Sequence, residues 1–249
     1  MSSTEGSGAS RAGGHSLHNE DAFLVEEGLG LYVVCDGVGG RPGGEVAAKL
    51  ATRALEDFVE RSGRELDLPR AHVARALVDK AMGCALVAVD EAVRTEPDLR
   101  GLSTTITMLL THGDRGVIGH RGDSRAYLLR RGRAHQLTID HELSEAASVE
   151  TGGDLIMDVF GVDLEPSDTV VLCSDGAEAV LEDREFVRSA GDLSPRALAS
   201  RIVSTAHRRN PVPDATAVVV RVRGEHEPGW LELSLPPLRT SFGHTLEYA

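Results

Sequence analysis

Four aspartates stand at the ends of strand-like segments, and they constrain the fold more than any other feature of the sequence. The segments are short and apolar, at residues 30–36, 116–123, 169–175 and 214–221, and they carry Asp36, Asp123, Asp175 and Asp214. If these strand ends meet at a common sheet edge, the four carboxylates converge, and ionised carboxylates repel one another unless a cation neutralises them. Hard oxygen ligands select Mg²⁺ or Mn²⁺ rather than Zn²⁺. The pattern therefore predicts a metal-dependent hydrolase.

The composition limits the classes of protein to which the chain can belong. Its 249 residues suffice for one large domain or two small ones. A formal net charge of −13, without a basic stripe, argues against a nucleic-acid partner. Three scattered cysteines indicate neither a disulfide framework nor a zinc site, and no nucleotide-binding loop or serine nucleophile elbow is present. No apolar run reaches the roughly 18 residues of a membrane span, so we expect a cytoplasmic protein without a membrane partner.

The spacing of apolar residues predicts clustered strands and clustered helices. Helical spacing predicts three helices, at residues 44–61, 73–96 and 193–207. Apolar runs bounded by turn residues predict strands at residues 22–26, 30–35, 104–110, 115–120, 125–130, 134–137, 169–173 and 215–222. The short turns between them are typical of antiparallel hairpins, so the pattern indicates an α+β fold.

Three segments fall outside this pattern. Residues 1–10 are rich in Ser and Gly, and we expect them to be disordered. Residues 140–168 are polar and are predicted to be irregular. Residues 224–249 are predicted to form a C-terminal extension, in which residues 230–235 suit one more strand.

Each acidic motif taken alone also has a simpler structural explanation. Asp36-Gly37 and Asp175-Gly176 are common turn dipeptides. Residues 19–21 suit a solvated acidic turn, and residues 122–125 suit a hairpin with a surface Asp–Arg pair. His120, the histidine nearest these motifs, suits a half-buried strand position. The functional alternative is that a glycine after a metal-binding aspartate lets the main chain approach the ion and offer its carbonyl oxygen.

Eight short motifs follow one another along the chain. They are Asn19-Glu-Asp21, Asp36-Gly-Val-Gly-Gly40, Gly44-Glu-Val-Ala47, Gly101-Leu-Ser-Thr-Thr105, Gly122-Asp-Ser-Arg125, Leu137-Thr-Ile-Asp-His141, Leu172-Cys-Ser-Asp-Gly176 and Asp214. The series, from about residue 11 to residue 223, resembles the metal-dependent protein phosphatases (the PPM or protein phosphatase 2C family), especially their compact bacterial members. The resemblance implies a four-layer α-β-β-α sandwich, in which two antiparallel sheets are flanked on both sides by helix pairs.

The resemblance also implies roles for the acidic residues. Asp36 would bridge two metal ions, with the Gly37 carbonyl as a further ligand. Asp175 and Asp214 would complete the shell of the first ion. These three aspartates are the candidate catalytic residues, because two cations roughly 3.5–4 Å apart lower the pKa of a bridging water and neutralise the phosphoryl oxygens.

The outer positions of the site follow from the same resemblance. Asp21, assisted by Glu20, would hold water on the second ion. Asp123, together with Asp175, would support the third and weaker ion that bacterial members can carry. We therefore expect two Mn²⁺ or Mg²⁺ ions, or three.

The sequence departs from the family pattern at several places. Where the family has an arginine that grips the substrate phosphate, this chain has Ser16, and Arg41 is our candidate to replace it. The asparagine that usually follows the last metal-binding aspartate is Ala215 here. Val38 stands where some eukaryotic members have a histidine. The segment of residues 140–168 is shorter than the flap region of the family, which helps to select substrates.

Together these features predict an enzyme that removes phosphate from serine or threonine of proteins and opposes a bacterial Ser/Thr kinase. We expect a monomer whose partner is a phosphorylated protein. Two alternatives stay open. Ser16 and Ala215 are also compatible with a non-catalytic binding module of the same fold (a pseudophosphatase), and the family chemistry is compatible with a small-molecule phosphatase.

Overall fold

The structure is a computed structural model that describes residues 3–14, 18–38, 43–63, 71–96, 102–142, 156–191 and 193–224. The strands are β1 (Ser3–Arg11), β2 (Asp21–Glu26), β3 (Leu31–Val38), β4 (Ser103–Thr104), β5 (Ile106–His112), β6 (Arg115–Arg121), β7 (Arg125–Arg130), β8 (Arg133–Gln136), β9 (Asp158–Asp163), β10 (Thr169–Cys173) and β11 (Ala215–Arg223). The helices are α1 (Gly44–Gly63), α2 (Ala71–Thr95), α3 (Asp175–Leu181), α4 (Arg184–Arg188) and α5 (Pro195–Arg209). Within these ranges no helix combines the length and the apolar character that a membrane span requires.

The strands form two antiparallel sheets. One sheet has the order β1-β11-β10-β7-β8, and the other has the order β2-β3-β5-β6-β9, with β4 paired to β3. Every strand pair in both sheets is antiparallel. The predicted α+β class with two antiparallel sheets is therefore confirmed.

The sheets pack face to face between two helical layers. In β3, Tyr32 and Val34 belong to the apolar cluster between the sheets, whereas Leu31 and Val33 pack against α1 and α2. Both faces of the central strands are buried, which explains why they are continuous apolar runs instead of alternating ones. A third cluster joins the sheet that contains β10 to α3, α4 and α5. The four-layer arrangement implied by the family resemblance is present.

The N-terminal segment is ordered, and the prediction that residues 1–10 are disordered is wrong for residues 3–10. β1 pairs with β11 along its whole length, from Ser3 opposite Arg223 to Arg11 opposite Ala215. Its glycines serve packing, because a Cβ atom on Gly8 would overlap the Phe23 ring. Small residues here allow close approach between the two sheets, so a composition that is typical of disorder encodes an edge strand.

Three further elements were not predicted. β9 lies in the segment predicted to be irregular, where it pairs with β6. The short helices α3 and α4 follow β10, and Asp183 caps α4 by accepting hydrogen bonds from two backbone amides. The three predicted helices are present as α1, α2 and α5, and Ser194 caps α5 as its side chain accepts from the Ala197 amide. The proposed strand at residues 230–235 and the rest of the extension lie outside the described residues.

Candidate metal centre

The β2–β3 hairpin brings the first two acidic motifs together. Asp21, the first residue of β2, is the register partner of Asp36 on β3. Such partners have Cα atoms about 4.5–5.5 Å apart. The Gly37 amide donates a hydrogen bond to the Glu20 carbonyl oxygen, with an N···O distance of 3.1 Å. Ordinary strand pairing therefore places both motifs at one end of the hairpin.

Asp175 and Asp214 lie together at one end of the other sheet. Because β10 and β11 are antiparallel neighbours, with Cys173 opposite Ala217, the chain that leaves β10 runs alongside the start of β11. The Ser174 amide donates to the Thr216 carbonyl oxygen at 3.1 Å. A Cβ atom on Gly176 would overlap the carbonyl oxygen of Asp214. Glycine at this position lets α3 begin directly against the chain that enters β11.

Hydrogen bonds join the two sheets across the site. The buried Ser174 hydroxyl donates to Asp21 Oδ2 at 2.8 Å, between residues 153 positions apart in the chain. Asp214 Oδ1 accepts from the Gly13 amide at 2.6 Å, and its Oδ2 accepts from the Glu20 amide at 2.7 Å. Neither Ser174 nor Gly13 was predicted from the sequence to have a role. The only sequence signal for Ser174 is its position directly before Asp175.

Asp123 reaches the site on the exposed turn between β6 and β7. Gly122 has a φ of 104°, which favours glycine. The buried Ser124 hydroxyl lies 2.7 Å from the Thr105 hydroxyl, which accepts from the Asp36 amide at 2.9 Å. These contacts connect the Asp123 turn to the strand that carries Asp36.

The five aspartates act on one another electrostatically. Burial, followed by the charges of Asp21, Asp175, Asp123 and Asp214, raises the pKa of Asp36 to about 9. Burial also raises the pKa of Asp21 to about 6, although the hydrogen bonds from Thr216 and Ser174 oppose the change. The pKa of Asp175 is raised by burial and by the charge of Asp123. Side chains from both sheets thus form one cluster of negative charge, which a bound cation would stabilise in its ionised form.

The oxygen donors of this cluster suit a hydrated divalent cation. Asp21 Oδ1 is buried and has no hydrogen-bond partner among the described residues. A buried carboxylate oxygen in that state is costly unless a cation neutralises it. In the part of the chain that the structure describes, no three His, Cys, Asp or Glu side chains lie close enough to enclose an ion by themselves. Water would therefore have to complete the coordination shell, as is common for Mg²⁺.

Two of the departures from the family pattern, Ala215 and Val38, lie among the described residues. Ser16 and Arg41 lie outside the described residues, and so does the middle of the 140–168 segment. Ala215 is buried in the apolar cluster beneath the helices, where its methyl group has no polar function. Val38 ends β3 and is exposed.

Two simpler explanations of the motifs do not hold in the structure. Arg125 forms its ion pairs with Asp140, Glu178 and Glu182, at 2.7, 3.0 and 3.1 Å, instead of with Asp123. His120 is a strand residue, as predicted, but it is completely buried instead of half-buried.

The chain matches one protein family over most of its length. Residues 8–208 match the family described as Protein phosphatase 2C. The chain belongs to the protein phosphatase 2C family. Four of the five aspartates lie in the matched range, and Asp214 lies just beyond it.

Similar proteins of this family occur in several bacteria. The chain is 31% identical over 226 residues to the serine/threonine protein phosphatase PstP of Mycobacterium tuberculosis. The matched residues cover 82% of this chain and 42% of PstP. The chain therefore spans less than half the length of that relative. The serine/threonine phosphatase stp of Listeria monocytogenes is 30% identical over 210 residues, which cover 72% of this chain and 81% of stp.

Two solved structures of bacterial proteins share the fold. The catalytic domain of PstP, in complex with two manganese ions, superposes with a TM-score of 0.77 at 28% identity, covering 90% of this chain and 100% of that domain. PppA of Pseudomonas aeruginosa superposes with a TM-score of 0.72 at 28% identity, covering 89% of this chain and 100% of PppA.

Proposed function

We propose that this chain is a metal-dependent phosphatase that hydrolyses phosphoserine and phosphothreonine in proteins. The observation that carries the proposal is that burial and the charges of neighbouring aspartates raise the carboxylate pKa values of Asp21, Asp36 and Asp175, while a buried Asp21 oxygen has no hydrogen-bond partner among the described residues. Carboxylates arranged in this way ionise fully at neutral pH only when a cation neutralises their charge. The family membership and the names of the relatives give independent support.

We propose that two Mn²⁺ or Mg²⁺ ions bind here, with a third as the bacterial alternative. Asp36 would hold the first two ions, with the Gly37 carbonyl oxygen as a further ligand. Asp175 and Asp214 would hold one of them, and Asp21, supported by Glu20, would hold the other. Asp123 is proposed for the third. When bound, such ions supply an activated water and neutralise the phosphoryl oxygens.

The surrounding residues of this chain hold the carboxylates in place. Ser174 fixes Asp21 through its hydroxyl, and the amides of Gly13 and Glu20 fix both oxygens of Asp214. Hydrogen-bond partners of this kind orient metal ligands, and their loss typically costs 10–100-fold in metal affinity.

The grip on the substrate phosphate is proposed to come from Arg41. Arg125 is a poor candidate, since three carboxylates already occupy its guanidinium group. The cytoplasmic location, the Ser/Thr kinase counterpart and the monomeric state stay predictions from the sequence.

A non-catalytic binding module is the second candidate. Ala215 favours it, because a buried methyl group cannot steady a neighbouring ligand as the family's asparagine does. The module would keep the fold and bind metal without turnover.

One pair of measurements decides between the candidates. Release of phosphate from p-nitrophenyl phosphate and from a phosphothreonine peptide is measured with Mn²⁺, and Mn²⁺ binding is measured by calorimetry. Asp36→Asn should abolish turnover and weaken binding, whereas Asp114→Asn, on the exposed turn between β5 and β6, should do neither. Binding without turnover would favour the non-catalytic module. Absence of both would refute the proposed metal centre.

A further inference from the structure

A basic groove lies between the β7–β8 hairpin and helices α3 and α4, at the C-terminal end of α3. It has a volume of about 740 Å³, and its charged lining consists of Arg131, Arg133, His135, Glu182, Arg184 and Arg188. The lining carries four arginines and one glutamate, whereas the whole chain has a formal net charge of −13. The groove is therefore a local exception to the acidic surface.

Most of the positive charge in the basic groove is not neutralised. In the described part of the chain, Arg133, Arg184 and Arg188 are exposed and form no ion pair. Arg131 is 84% exposed at its side chain and has only a loose contact with Glu165, at 3.7 Å. The acidic residue of the lining, Glu182, is already bound by Arg125. Free guanidinium groups remain available to an anionic ligand.

The basic groove is close enough to the carboxylate cluster for one peptide to reach both. Helix α3 begins at Asp175 in the cluster and ends beside Glu182 in the groove. Seven residues of helix span about 10 Å. An extended peptide covers that distance in about three residues.

The groove also offers backbone pairing to an extended segment. β8 is the last strand in the order of its sheet, and no described strand pairs with its outer edge. Extended peptides can bind to such an edge by adding one more strand to the sheet. This favours a segment of a protein over a free small anion as the occupant.

We propose that the basic groove binds an anionic side chain of the substrate protein, about three to five residues from the phosphorylated residue. The inference rests on the proposed phosphatase function and narrows its substrates to phosphorylated sites with acidic neighbours. Arginine binds carboxylate and phosphate groups with the same two-pronged geometry, so the anion can be Asp, Glu or a second phosphorylated residue.

The test compares three phosphothreonine peptides with p-nitrophenyl phosphate, which is too small to reach the groove. One peptide has neutral flanks, one has Glu three to five residues away, and one has a non-hydrolysable phosphonate there. The Glu and phosphonate arms separate the two sources of the anion. We expect kcat/KM for at least one anionic peptide to exceed that of the neutral peptide by about three- to tenfold at 50 mM salt, and the preference to shrink at 500 mM.

The double variant Arg184→Ala/Arg188→Ala should remove this preference through KM, while kcat and the turnover of p-nitrophenyl phosphate stay within twofold. The matched control is Lys49→Ala/Arg53→Ala, which removes two exposed cations from α1 in the opposite helical layer and should keep the preference. Normal turnover of p-nitrophenyl phosphate without a preference for either anionic peptide would overturn the inference alone, and so would a preference that survives the double variant. No turnover of any substrate by the unaltered protein would overturn the proposed function, and the inference with it.

Discussion

His120 is a buried histidine whose protonation should oppose folding. It has no exposed surface in β6. Its Nε2 lies 3.0 Å from the Ile139 carbonyl oxygen, which can only accept, so Nε2 carries the hydrogen. Its Nδ1 lies 3.0 Å from the Thr107 hydroxyl, which donates its hydrogen to the Ser124 carbonyl oxygen at 3.0 Å. Thr107 can accept from a protonated Nδ1, so a second proton would displace neither contact, and it is the burial of the charged ring that opposes protonation.

The surroundings of His120 set the size of the effect. Burial, followed by the neighbouring His141 ring, lowers the pKa of His120 to about 4, although the Ile139 carbonyl and the charges of Asp158 and Asp140 oppose the change. The pKa of an ordinary histidine is 6.5. One pKa unit corresponds to about 1.36 kcal/mol, so the full difference corresponds to roughly 3 kcal/mol.

The direction in which the free energy of unfolding changes with pH follows from proton uptake. Between pH 6.5 and about 4 the unfolded chain protonates this histidine and the folded chain does not, so the free energy of unfolding falls as the pH falls through this window. At pH 5.0 the loss should be about 2 kcal/mol relative to pH 7.5. Above about pH 7.5 neither state binds this proton, so the residue contributes no pH dependence.

Urea unfolding followed by circular dichroism, in EDTA, measures this loss. The aspartates of the metal centre also titrate, so the quantity to compare is the difference in unfolding free energy between the unaltered protein and His120→Gln, which cannot be protonated. That difference should change by about 2 kcal/mol between pH 7.5 and 5.0. His112 is exposed, and the corresponding difference for His112→Gln should stay nearly constant between the two pH values. A His120 difference that is the same at both pH values would show that the buried ring accepts a proton freely, and the reasoning would be refuted.

Three further changes test the contacts of the site and the edge of the sheet. Ser174→Ala removes the hydroxyl that holds a candidate ligand, and Mn²⁺ affinity by calorimetry should fall about 10–100-fold, but stay unchanged in Ser189→Ala. Gly176→Ala forces a methyl group against Asp214 and should lower the free energy of unfolding by about 1–3 kcal/mol, whereas Gly83→Ala in α2, with open space around it, should not lower it. Deletion of β1 exposes the edge of β11 and should cause concentration-dependent aggregation in light scattering. An unchanged affinity, an unchanged stability or a monodisperse deletion variant would contradict the respective prediction.

The sequence by itself determined the elements whose signals are local. Helices α1 and α2 follow from apolar residues at helical spacing, and β7 and β10 have the predicted bounds because turn residues border their apolar runs. The acidic motifs were recognisable for the same reason, since each lies within a few residues of a strand end. Their order along the chain was enough to indicate the family.

The tertiary structure alone decided the elements and contacts that depend on distant partners. β1 is a strand because β11 pairs with it and because its glycines fit against the other sheet, although its composition suggests disorder. Asp21 and Ser174 meet across 153 positions, and Asp214 is fixed by the Gly13 amide. The basic groove likewise lies between a hairpin and two short helices that were not predicted from the sequence. The physical reason is that propensity and spacing act between chain neighbours, whereas register, burial and charge coupling depend on residues that only packing brings together.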